Sequence, residues 1–149
     1  VEQVSWTDCY NFCIKAGFIL PTEAQWEFAC RGDSSHVYCF GNDEKKLSDY
    51  AWFEDNSEEK THPIGEKKPN AFGLYDMHGN VWEWCQDWHG YHPSGSFNDP
   101  RGVSYGSLHV YKGGGWNSRE EYCSCSSRDA YPPEKKINNL GFRVCFYMK

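Results

Sequence analysis

Basic charge, long apolar runs and Cys-x-x-Cys pairs are what this 149-residue chain has little of or lacks. Fifteen Lys and Arg stand against 21 Asp and Glu, for a net charge of −6. A general nucleic-acid surface needs a basic face, so no nucleic-acid partner is expected. Nothing approaches the ~20 apolar residues of a membrane-spanning helix. No Cys-x-x-Cys pair marks a zinc motif. A Gly-rich phosphate loop, a Ser-His-Asp order, a paired-acid motif, an internal repeat and low-complexity segments are also missing.

Aromatics and glycines are plentiful. Seven Trp, ten Tyr and nine Phe make 17 % of the chain aromatic, and 14 Gly accompany them. That mixture suits one loop-rich domain built on short strands, in a chain long enough to bury a real core. Eight cysteines are many for a reducing cytosol, which favours disulfides in an exported protein; the alternative is that several are small buried hydrophobes. The chain begins at Val1 with no visible leader and reads as a fragment or processed form.

Two helices open the sequence. Trp6, Cys9, Tyr10, Cys13 and Ile14 recur at helical spacing over 6–16, and Gly17 supplies a stop. Thr22 and Gln25 predict a capped second helix, with Trp26, Ala29 and Cys30 on one face and Gly32 closing it. Thr7-Asp8 and Glu23-Glu27 place negative charge near the helix starts. Charge runs at 43–46 and 58–60 read as solvated loops. Strand candidates follow at 74–75, 81–85, 110–111, 123–127 and 142–147, with a long anchored or functional loop over 87–106. The expected class is α+β, with helices first and irregular β afterwards.

Five ordered blocks carry a family resemblance. Val4-Ser5-Trp6 with Cys13, then Leu20-Pro21-Thr22-Glu23-Ala24-Gln25-Trp26-Glu27-Phe28-Ala29, make the first. Pro69-Asn70-Ala71-Phe72-Gly73-Leu74-Tyr75-Asp76-Met77 leads into Gly79-Asn80-Val81-Trp82-Glu83-Trp84. Lys112-Gly113-Gly114-Gly115-Trp116 and Asn139-Leu140-Gly141-Phe142-Arg143 complete the set. Together they resemble the formylglycine-generating enzymes, or sulfatase-modifying factors. The resemblance implies a single C-type-lectin-like domain over 1–149, lacking the N-terminal stretch that family domains usually carry.

It also implies a Ca2+ site. Asp76 and Glu83 would supply carboxylate oxygens, and Gly79 and Val81 backbone carbonyls. Such a mixed set of hard oxygens suits Ca2+. Read from spacing alone, the two acids are equally ordinary surface residues of a turn. A second family calcium site is not carried over, because Trp52 stands where an Asn ligand is expected.

The family oxidises a sulfatase cysteine to formylglycine with O2 and a Cu(I) held by two thiolates five residues apart. By resemblance those positions are Ser118 and Cys123. A serine hydroxyl is a poor Cu(I) ligand, so Cu+ is not expected and the domain reads as non-catalytic. The alternative is a diverged oxidase, with Cys123 as the surviving catalytic ligand. Cys123 and Cys125 would share a strand face and offer a weak second clamp. The resemblance instead implies a Cys30–Cys125 disulfide, and a less regular Cys13–Cys145 pairing. His36, His62, His78, His89, His92 and His109 form no local metal motif, and Arg128 and Arg143 read as braces.

The ending also resembles variable proteins of diversity-generating retroelements, which display a ligand-binding face on the same fold. That implies a face of Trp116, Asn117, Ser118, Glu120, Tyr122, Asp129, Tyr131 and Asn139, turned toward an unidentified protein or small ligand. The same residue types make adaptable contacts at interfaces, and they are also ordinary in polar loops.

Overall fold

A computed structural model describes residues 1–91, 95 and 97–146. Helix α1 (Trp6–Ala16) starts with a capping box, in which Ser5 and Asp8 bond each other's backbone N–H groups at 3.1 Å. Helix α2 (Glu23–Arg31) repeats the device with Thr22 and Gln25. Gly17 and Gly32 end the two helices in the left-handed conformation, at φ 76° and 56°. Both helices therefore lie where the capping and periodicity signals put them.

Four strands form the main sheet, in the order β5 (Arg128–Tyr131), β4 (His109–Lys112), β3 (Trp82–Trp88), β6 (Leu140–Phe142). β3 pairs antiparallel with β4 and parallel with β6, and β4 pairs antiparallel with β5. A short helix α3 (Leu47–Tyr50) leads into β1 (Ala51–Trp52), which pairs in parallel with β2 (His78–Gly79).

Alternation along the strands divides the core. Trp82, Trp84 and Tyr111 pack with Cys9, Cys13, Leu20 and Leu140 on the α1 side. Cys85 and Val110 pack with Trp26, Cys30, Met77 and Cys125 on the α2 side. A third cluster gathers Tyr38, Leu47, Ala51, Phe53 and Cys123. The architecture is α+β and C-type-lectin-like, with little regular structure. Among the described residues, no helix is long and apolar enough to cross a membrane.

Three strand expectations are corrected. Residues 74–75 join no strand, because Leu74 is tied into a turn by Asn70, whose side-chain oxygen accepts the Leu74 N–H at 3.1 Å. Residues 120–123 form a 3-10 helix followed by turns, so Cys123 and Cys125 do not share a strand face. The last strand is Leu140–Phe142, three residues whose centre is the glycine of the closing motif; Tyr147 lies outside the described residues. Tyr10 and Ile14, which shared the helical spacing of α1, are exposed, and Cys9, Cys13 and the partly buried Trp6 form its inner face. The 87–106 segment is partly strand, and Asp87 anchors it by accepting the Gly102 N–H at 2.7 Å.

Candidate functional site

After β4 the chain turns through Gly113 and Gly114, at φ 103° and 76°. A Cβ on Gly114 would sit 2.6 Å from Cys123 Sγ, so this turn needs glycine to lie against the sulfur. Ser118 closes the next turn: its Oγ accepts the Gly115 N–H at 2.9 Å, and its own N–H donates to Gly115 O at 2.9 Å. The 3-10 helix Glu120–Cys123 then carries Cys123 into the third core cluster. Burial pushes its thiol up to about 12, with the charges of Glu120 and Glu121 acting the same way. Cys123 is a protonated core thiol there.

Beside this turn lies a polar cleft of 340 Å³. It brings together five expected face residues, Asn117, Ser118, Tyr122, Asp129 and Asn139. Asn139 donates its amide to Asn117 at 2.7 Å, which joins the two along the rim of the cleft. Three residues stand elsewhere. Trp116 donates its indole N–H to Asn138 O at 3.1 Å. Glu120 offers its carbonyl to the Tyr38 hydroxyl at 3.0 Å. Tyr131 packs against the α1-side core. Glu54, Trp82 and Arg119 also line the cleft and were not anticipated. Arg119 was legible as the neighbour of Ser118; Glu54 has no local signal and arrives through the Glu54 N–H bond to Ser118 O at 3.0 Å.

On the other side of the signature, Asp76, Gly79, Val81 and Glu83 all line a second cleft of 530 Å³. Asp76 sits at φ 56°, with Oδ2 accepting the Gly65 N–H at 2.8 Å and Oδ1 buried with no partner. Burial raises its pKa, since nothing nearby fully offsets the charge. Glu83 is buried and accepts the Trp26 indole N–H at 2.7 Å. Arg143 donates to both Glu83 oxygens, at 2.8 and 3.0 Å, and to Tyr75 O at 3.0 Å. At Trp52 the neighbours are His62, stacked at 3.8 Å, and the Lys67 ammonium 3.7 Å from the ring centroid.

The two cysteines that the resemblance pairs do lie together. Cys30 Sγ lies 3.6 Å from Cys125 Sγ, well beyond a disulfide bond of about 2.05 Å. Cys13 and Cys145 are free as well. The second copper clamp is not assembled: Cys125 joins Cys30 and Cys123 does not. Among the other histidines, His109 is sandwiched between Trp6 and Trp88 at 3.7 Å each. His92 of the expected loop pair lies outside the described residues. Arg128 and Arg143 do brace carboxylates, those of Glu23 and Glu83.

A profile of the sulfatase-modifying factor enzyme 1-like domain matches residues 1–147. The chain belongs to this family. It is 38 % identical to the mouse formylglycine-generating enzyme over 96 % of its own length, and spans 43 % of that protein. Among solved structures, Treponema denticola variable protein 1 superposes with a TM-score of 0.90 at 33 % identity, over 97 % of this chain and 69 % of that one. PvdO from Pseudomonas aeruginosa gives a TM-score of 0.85 at 27 % identity, over 97 % and 60 %. The sulfatase-modifying-factor domain thus carries both relatives named as enzymes and one named as a variable protein.

Proposed function

We propose that this sulfatase-modifying-factor domain is a recognition module, not a copper oxidase, and that its 340 Å³ cleft receives a protein or small-molecule ligand. The observation that carries the reading is Ser118. It stands where the resemblance places one of two Cu(I) thiolates, and its hydroxyl is committed to the Gly115 N–H. An alcohol stays protonated at neutral pH and is a hard donor, whereas Cu(I) selects soft ones. The partner position, Cys123, is fully buried and held as a thiol, so a metal would have to displace both a proton and core packing.

What remains at the position is a surface suited to contact. The Asn117–Asn139 pair presents amide donors and acceptors, Asp129 a carboxylate, and Tyr122 a half-exposed ring, while the buried Trp82 also lines the cleft. Amides and aromatics in a shallow cleft bind with little ordering cost once their own contacts fix them. The likeness to the variable protein supports the same assignment.

Calcium is part of this proposal as a structural ion. Asp76 and Glu83 would hold it by carboxylate and Gly79 and Val81 by carbonyl. The unpartnered buried Asp76 Oδ1 is the feature that fits a hard cation. Such an ion would rigidify the turn between β2 and β3. Export is proposed with it, on the cysteine content and on the 3.6 Å contact of Cys30 with Cys125, the pair that the resemblance joins in a disulfide.

The test is conversion of a Cys-x-Pro-x-Arg peptide by the full-length protein with Cu(I) and O2, read by peptide mass beside an active family enzyme. The expected result is an unchanged peptide. Aldehyde formation would refute the non-catalytic reading and establish the diverged oxidase instead.

A further inference from the structure

The cleft beside Ser118 holds polar groups that the fold leaves unsatisfied. Trp82 lines it and is only 6 % exposed. Trp6, Trp26, Trp84 and Trp116 each donate their indole N–H to the protein. The Trp82 indole N–H has no acceptor among the described residues. Its Cδ1, the neighbour of that nitrogen, lies 3.1 Å from where a Cβ would stand on Gly115, so the nitrogen-bearing edge faces the turn that Ser118 closes. A donor so deeply placed is costly to leave unpaired, and an acceptor on a ligand removes that cost. Nearby, Asn139 spends one amide hydrogen on Asn117 Oδ1 at 2.7 Å. Among the described residues the Asn117 amide hydrogens and the Asn139 amide oxygen have no other partner.

Charge argues against an ionic ligand. Glu54 and Arg119 are both exposed and stand 3.9 Å apart, so they offset each other at the rim. Asp129 is the remaining charged residue of the lining. One of its oxygens accepts the Ala130 N–H at 2.7 Å, and the Tyr111 hydroxyl bonds the same carboxylate. Burial and the Asp129 charge raise the Tyr111 phenol, which therefore stays a donor. An anion entering the cleft would meet Asp129 in a chain of net charge −6. A cation would find a single uncompensated carboxylate that already accepts two hydrogen bonds. A neutral ligand meets neither obstacle.

Hydroxyl groups fit what is left. Each both donates and accepts, so one hydroxyl can take the Trp82 or Asn117 N–H and give its own proton to Asp129 or the Asn139 oxygen. Several hydroxyls on adjacent carbons match a cleft in which donors and acceptors are neighbours. Tyr122, half-exposed, adds a flat apolar face for a C–H surface, with its own hydroxyl at the edge. We propose that the cleft binds a neutral saccharide, free or as the end of a glycan. The assignment rests on the recognition reading and names the ligand class of that site. Asp76 and Glu83 line the other cleft, so binding here does not depend on the Ca2+ proposed there.

The experiment applies the labelled full-length protein, in chelator, to a printed array of neutral glycans and titrates each hit with the matching free sugars. Binding to a set of neutral glycans is expected. Displacement by the free sugar assigns a free-saccharide ligand, and displacement only by the longer chain assigns a glycan end. Affinity should hold within about twofold from roughly 0.01 to 1 M salt, over which the screening length falls from about 30 to 3 Å. Asp129→Asn and Tyr122→Ala should each weaken binding about tenfold, the scale of one charge-assisted hydrogen bond. Phe28→Ser, at an exposed position outside the cleft, should leave it unchanged. A readout on the unaltered chain is the Trp82 indole N–H resonance, which should shift on saturation with a saccharide hit. An array without hits, affinity that falls with salt, variants that bind like the parent, or an unmoved Trp82 resonance would each overturn the saccharide assignment. The recognition reading survives those results as long as the Cys-x-Pro-x-Arg peptide stays unconverted, and conversion of that peptide would overturn both.

Discussion

Replacing Glu83 by Gln tests whether the signature motif works as scaffold. Glu83 is 6 % exposed and takes three charge-assisted or indole hydrogen bonds, from Trp26 and twice from Arg143. Gln keeps the shape, removes the charge, and turns an amide donor toward groups that only donate. Breaking one side of a buried ion pair costs about 3–5 kcal/mol. The Arg143 side chain is 24 % exposed and keeps the Tyr75 carbonyl, which places the loss at the lower end, about 3 kcal/mol. An unfolding entropy of about 2.1 cal/mol/K per residue gives roughly 0.3 kcal/mol/K for this chain, so Tm should fall by about 10 °C. The assay is urea unfolding followed by tryptophan fluorescence in chelator, so that no cation occupies the adjoining cleft. Adding Arg143→Met removes the stranded guanidinium, and the double variant should be more stable than the sum of single losses by about 2 kcal/mol. A loss below about 1 kcal/mol in Glu83→Gln, or losses additive within about 0.5 kcal/mol, would refute the reasoning.

Three further outcomes follow from named contacts. Calcium at a hundredfold excess over its dissociation constant should stabilise the protein by about 2.7 kcal/mol, and Asp76→Ala should abolish the gain; an equal gain in the variant sinks the assignment. His109 is pushed down to about 4 by burial between two indoles, below its ordinary 6.5. The unfolded chain therefore takes up a proton first: this stability is present above pH 6.5 and is lost as pH falls toward 4, by up to about 1.4 kcal/mol per unit. His109→Phe should flatten that slope in urea titrations between pH 7 and 5, and an unchanged slope would locate it elsewhere. Gly79 sits at φ 77° where a Cβ would run into the Trp52 carbonyl. Gly79→Ala should cost about 2–5 kcal/mol from backbone strain and overlap together; unfolding within about 1 kcal/mol of the parent would show that the β1–β2 pairing gives way easily.

The parts of this fold that were legible in the sequence are those decided locally. Thr22 and Gln25 announce α2 because a capping box needs only four consecutive residues. Gly17 and Gly32 mark helix ends for the same reason. The strands were less legible because their positions depend on pairing. Leu140 counts as strand through its register with Trp82, and residues 123–127 look extended until the 3-10 turn is seen. Five of the eight proposed face residues share a cleft; Asp129 reaches it from β5, and Tyr131, two residues further along the same strand, packs against the α1-side core instead. Least legible was the place of His78 beside Cys30 and Cys125, a pair that only the resemblance had brought together. Cys30, His78 and Cys125 lie more than forty residues apart, so no local spacing could announce them.

The signature that identifies the family serves the fold almost entirely. Asn70 bonds Ala29 O, Cys30 O, Phe72 N–H and Leu74 N–H, welding α2 to the turn before β2. Asn80 holds both backbone groups of His62, and Trp84 donates to Val4 O from the heart of the α1-side core. Glu83 joins α2 to the closing motif through Trp26 and Arg143. Substituting these residues would dismantle the domain whatever it binds or catalyses, so a chain retains them as long as it retains the fold. The positions that the resemblance assigns to copper, Ser118 and Cys123, lie elsewhere, on the stretch that leads from Trp116 through the 3-10 helix. A strong family match therefore specifies this architecture closely and constrains activity only at the positions that touch a ligand, the general condition of a fold that hosts several functions.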